Sequence, residues 1–165
     1  MRAFPLLAVA LVAAVPRVSH AALVANEPSL SADAALAAAH AALEACRKDG
    51  QKVAVSVVDA AGRIKAQVRD DGAAPHTAEH SFRKAYTALT YREASAEVGK
   101  RAEQAKGVAI GPQLLPNITS AAGGVPVKAD GATIGAVGVS GTPGSAGGGE
   151  HDAKCAAAGV EAVSK

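Results

Sequence analysis

Apolar and polar positions recur along this chain with two different periods, and the switches between them mark out its elements. Behind Ser31, a good N-cap, Leu36, Ala39, Leu43 and Cys46 fall at helical spacing with Asp33 in the first turn. A helix with one buried face is therefore expected to about Lys48, closed by Gly50. Lys52 to Asp59 has the β-branched density of a central strand. Ala60-Ala61-Gly62 then turns the chain into Arg63 to Arg69, where Ile64, Ala66 and Val68 alternate with polar neighbours as in a strand with one wet face. Pro75 opens a second helix, whose Ala78, Phe82, Ala85 and Leu89 share one face as far as about Tyr91, and a shorter helix follows over Ser95 to Gln104. Gly107 to Asn117 reads as loop, Ile118 to Ala122 as a short strand, and Gly123-Gly124 as a tight or bulged turn. Val125 to Ala129 and Ala132 to Val139 are paired strands around Asp130-Gly131, a strong two-residue hairpin signal. After the glycine-rich stretch Gly144 to Gly149, a last helix runs from about Glu150 to Val163.

The N-terminus has a different character. Arg2, the apolar run Ala3 to Val15, Pro16 and the small-residue pattern Ser19-His20-Ala21 have the form of a secretory signal peptide. The run is shorter than the roughly 20 apolar residues of a membrane span, so residues 1–21 read as a leader and 22–165 as one domain, with no span in the mature chain. A periplasmic or secreted location follows. Of 17 basic and 15 acidic residues, Arg2 and Arg17 leave with the leader, so the mature chain is formally neutral. Its charges are scattered singly, without the basic stripe of a nucleic-acid binder.

The mature aromatics are Phe82, Tyr86 and Tyr91, so packing must rest on Val, Leu, Ile and many Ala, with further burial expected in a homo-oligomer. In an oxidising compartment the two cysteines, Cys46 and Cys155, are expected to pair, tying the first helix to the last.

Six segments, in order, carry a resemblance: Val57-Val58-Asp59-Ala60-Ala61-Gly62, Arg69-Asp70-Asp71-Gly72-Ala73, Lys84-Ala85-Tyr86-Thr87-Ala88, Gly123-Gly124-Val125-Pro126-Val127, Ile134 to Gly141, and Asp152 to Gly159. Together they span nearly all of the mature chain, which resembles the GlcG/HbpS-like family and the C-terminal domain of PduO-type proteins. The resemblance implies an α+β, profilin-like fold: a mainly antiparallel sheet flanked by N- and C-terminal helices, in oligomers. It also implies haem as cofactor, with a histidine of the first helix as axial ligand, which here is His40.

Haem iron is held by His, Met, Cys or Tyr. Met1 is the only methionine and a disulfide would remove both thiols, which leaves His40, His76, His80, His151, Tyr86 and Tyr91. His40 lies at the rim of the apolar face of its helix. His76 and His80, one turn apart, match the H-x-x-E-H spelling of a zinc protease, but no third ligand is evident; they and His151 are weaker metal candidates, with solvated residues the favoured reading of the pair and a loop that of the stretch before His151. No nucleophile and base constellation stands out: Asp59 and Asp71 sit at turns, and Ser140 lacks the surroundings of a nucleophile elbow. An exported haem-binding protein is the leading reading. A small-molecule or haem-degrading enzyme and a cofactor-free oligomeric accessory protein stay open beside it.

Overall fold

The structure, a computed structural model, describes residues 27–104, 115–143 and 148–164. The expected leader, most of the expected Gly107 to Asn117 loop and residues 144–147 of the glycine-rich stretch lie outside the described residues. The elements are α1 (Ala32–Lys48), β1 (Ala54–Asp59), β2 (Ile64–Arg69), α2 (Thr77–Tyr91), α3 (Ser95–Gln104), β3 (Gly124–Ala129), β4 (Ala132–Ser140) and α4 (Gly148–Glu161). The strands form one antiparallel sheet in the order β2-β1-β4-β3, which is the expected α+β class. Among the described residues no helix is long and apolar enough to cross a membrane.

Both hairpins turn where the sequence places them. Asp130 and Gly131 have φ of 49° and 80°, which a two-residue hairpin of this hand demands. At the other turn the Asp59 carboxylate accepts from the backbone N–H groups of Ala61 and Arg63, both at 3.0 Å, so Asp59 shapes the turn.

The two faces of the central strands are chemically different. Val55, Val57, Val137 and Val139 point to one side, where they pack with α1 and α4; Ser56, Val58, Ala136 and Gly138 point to the other, beneath α2. The α2 side is built of small residues. A Cβ on Gly138 would stand 2.1 Å from the Ser81 carbonyl oxygen and 2.5 Å from the Ala85 nitrogen, so the helix backbone rests directly on the strand. Ser56 and Ser81, both fully buried, share a 2.7 Å hydrogen bond across this contact, and the Gln67 amide donates to Ser56 Oγ at 2.8 Å. On the opposite side Gly159 brings α4 against the carbonyl of Ala38, and the Cys46–Cys155 disulfide links the two helices with Cα atoms 5.5 Å apart.

Three details correct the sequence reading. Ile118 to Ala122 is not a strand, because its backbone is satisfied by helix side chains: the Thr119 N–H donates to Thr87 Oγ1 at 3.0 Å, and Ser95 Oγ–H donates to the Ala121 carbonyl at 2.8 Å. On α2 the buried residues are Thr77, Ser81, Lys84, Ala85, Thr87 and Ala88, with Phe82 and Leu89 at the margin, since the positions over Gly138 are the small Ser81 and Ala85. On α1 the buried residues are Ala35, Ala38, Ala39, Ala42, Leu43 and Cys46, whereas Leu36 is 60% exposed.

The C-terminal end of α1 is fastened to the end of β2 by Arg47, which donates to both carboxylate oxygens of the buried Asp70, at 2.8 and 3.1 Å. That bond holds the Asp70 carboxyl below its ordinary value of 3.8, against the opposing effect of burial. A depressed carboxylate contributes stability above its unfolded pKa and loses it as pH falls through the folded one. Urea midpoints should therefore drop as pH falls from about 4 towards 2, with a shallower slope in Asp70→Asn. Gly138→Val, which forces Cβ into helix backbone, should lower unfolding free energy by about 3 kcal/mol or more, read by the same denaturation.

Candidate functional site

Four separate segments of the chain converge at one end of the sheet. Lys84 reaches from α2, Asp152 from the first turns of α4, Ser140 ends β4, and Gly123 precedes β3. Lys84 Nζ donates to Asp152 Oδ2 at 2.7 Å, with both side chains under 5% exposed, and the Thr142 backbone N–H donates to Asp152 Oδ1 at 3.2 Å. Gly123, with φ of 124°, sits where a Cβ would meet the Val139 carbonyl, Asp152 Cβ and Lys84 Cδ, all within 3 Å. Only glycine lets the chain pass beside this ion pair.

Next to the pair, His80 Nδ1 and Ser140 Oγ stand 3.1 Å apart, and either can be the donor. His80 is half-buried, and its pKa lies below the ordinary value, first because burial disfavours the imidazolium and then because the Lys84 cation is close. Burial also lowers the Lys84 ammonium, with Asp152 acting in the opposite direction. A neutral imidazole, a hydroxyl and an ammonium thus face a cleft of about 430 Å³, which His76 also lines. Such a group can hold a small polar molecule and exchange a proton with it. A larger cavity, about 560 Å³, opens at the other end of α2 beside Tyr86, Leu89, Arg92 and Lys128.

The remaining sequence candidates lie apart from the cleft. His40 is exposed on α1, one turn beyond the exposed Leu36. His151, in the first turn of α4, places Nε2 3.0 Å from Asp49 Oδ2 without hydrogen-bond geometry, and it borders the disulfide. Thus His76 and His80 share a site, and His40 and His151 do not join it. Sequence reasoning missed Ser140 as a partner of His80 and missed the Lys84–Asp152 pair. The available signal was that Lys84, Gly123, Ser140 and Asp152 each lie within the segments that carry the family resemblance.

Comparison with known proteins places these features in a family. The model of the family described as "Haem degrading protein HbpS-like" matches residues 30–161. The chain belongs to the HbpS-like family. Protein GlcG of Escherichia coli strain K12 is 36% identical over 111 residues, 67% of this chain and 81% of GlcG. The crystal structure of an HbpS double mutant from Streptomyces reticuli is 36% identical with a TM-score of 0.77, covering 90% of this chain and 97% of that one. A crystal structure of a PduOC–haem complex is 28% identical with a TM-score of 0.71, covering 81% and 94%.

In this HbpS-like protein the Lys84–Asp152 pair crosses from α2 to α4, and removing one partner leaves an uncompensated buried charge. Lys84→Met should cost about 3–5 kcal/mol in urea denaturation, and adding Asp152→Leu should restore most of it.

Proposed function

We propose that this is an exported haem-binding protein in which the exposed face of α1 receives the macrocycle and His40 supplies the axial nitrogen. The observation that carries the reading is the pairing of Leu36 and His40 one turn apart, both exposed on a helix whose other face is buried. Exposed Ala37 and partly exposed Ala41 lie beside them, with Asp33 and Glu44 a turn away on either side. The other imidazoles lie elsewhere: His80 is hydrogen-bonded to Ser140, His151 stands beside Asp49, and His76 lines the cleft. Kinship with a protein solved as a haem complex supports the ligand, and the apolar leader supports export. Exposed Leu36, together with Ile64 on edge strand β2 at 49% exposure, also suits a homo-oligomer in which a second copy closes over the haem.

Haemin titration of the signal-free protein should give a saturable Soret change. His40→Ala should shift the band and weaken binding at least roughly tenfold, about 1.4 kcal/mol. Unchanged binding in His40→Ala with loss in His76→Ala would move the iron to the cleft.

The cleft favours a second reading, a small-molecule enzyme in which neutral His80 takes a proton from a polar ligand held near Lys84. Glycolate added as a probe should then move the His80 imidazole resonances and leave those of His40 in place. A probe that shifts neither histidine removes that reading.

A further inference from the structure

The disulfide lies beside an imidazole and a carboxylate. Cys46 comes from the last turn of α1, Cys155 from the middle of α4, and His151 from one turn earlier on α4. One ligand atom from each of the three lies within 4.8 Å of the others. A fourth group stands behind them, because Asp49, the C-cap residue of α1, brings Oδ2 to 3.0 Å from His151 Nε2. That nitrogen is shielded from solvent and has no hydrogen-bond partner among the described residues. A buried imidazole nitrogen normally finds one, so the geometry here is that of a ligand set rather than of a finished hydrogen-bond network.

We propose that the dithiol form of this protein holds a divalent metal ion of the zinc class through Cys46, Cys155 and His151, and that the metal and the disulfide are mutually exclusive states of one site. Two thiolates and an imidazole suit Zn²⁺ or Co²⁺ in tetrahedral geometry. On such an ion the two sulfurs stand roughly 3.8 Å apart, from metal–sulfur bonds of about 2.3 Å. Cα atoms 5.5 Å apart leave room for that by side-chain rotation. Asp49 serves whichever ring nitrogen binds: it completes the set if Nε2 is the ligand, and it orients the ring if Nδ1 is. The cysteines are buried, at 0% and 2% exposure, while His151 and Asp49 are partly exposed, so the ion reaches the sulfurs from the His151 side.

Exchange with a dithiol reductant breaks the Cys46–Cys155 bond, leaving two protein thiols and the reductant as its own disulfide. Binding M²⁺ then forms two metal–sulfur bonds and releases two protons. Oxidation of the two thiolates by a disulfide oxidant re-forms the cross-link and expels the ion.

The test uses the haem-free mature protein with Co²⁺ as the probe. The protein is reduced anaerobically and refolded where reduction has loosened it, and a thiolate-to-metal charge-transfer band is followed during titration. The expected result is saturation at one Co²⁺ per chain in the reduced protein and no band in the oxidised protein. His151→Ala should weaken Co²⁺ binding by roughly tenfold or more and Asp49→Asn by a similar factor. Both variants are expected to keep the disulfide and the native circular dichroism when oxidised, which separates ligand loss from misfolding. A reduced protein without a thiolate band, or one whose band and affinity are the same in His151→Ala, would overturn the proposal. A reduced chain that stays unfolded with Co²⁺ present would overturn it as well.

Discussion

Glycine and alanine at the points where backbones meet set the spacing on which the rest of this molecule depends. Gly138 lets α2 lie on β4 with main chain against main chain, and Gly159 does the same for α4 against α1. Large side chains at those positions would push the layers apart, and the interior would then need the aromatic bulk that this sequence lacks. Close layers instead let Val and Ala fill the core, with valine prominent among the largest fully buried side chains. Little apolar area is buried per residue in such a core. The disulfide across residues 46 and 155, which closes a loop of about a hundred residues, adds an entropic contribution of several kcal/mol.

The same close approach brings the polar groups together. With α2 pressed onto the sheet, Lys84 extends past Gly123 to Asp152, and His80 comes within hydrogen-bond distance of Ser140. The buried ion pair is a costly way to join α2 and α4, because apolar residues of similar volume would serve stability as well or better. The pair stands beside the cleft that His80 lines, and burial lowers the pKa of both the Lys84 ammonium and the His80 imidazole.

Three polar regions therefore coexist in this HbpS-like chain: an exposed histidine face on α1, the cleft between α2 and α4, and the disulfide–imidazole cluster where α1 meets α4. Each uses a different surface of the helices, while the sheet supplies a common scaffold. Helices α1 and α4 contribute to two of the three, so reduction of the disulfide between them bears on the packing beneath both surfaces.

Much was legible in the sequence because it is local. N-capping by Ser31, the Asp130-Gly131 turn, the one wet face of β2 and the order of elements all follow from residues within a few positions of one another, where propensity and period act directly. The cysteine pairing was legible too, since only two cysteines exist. What the sequence could not decide was which stripe of an Ala-rich helix faces inward. On α1 the buried side excludes Leu36, and on α2 it takes in Ser81 and Lys84 in preference to Phe82, because the sheet beneath offers only the space that Gly138 and its neighbours leave. The partners of Lys84, His80 and His151 were likewise hidden. They lie 68, 60 and 102 residues away along the chain, and only the layering of helices on the sheet brings them into contact.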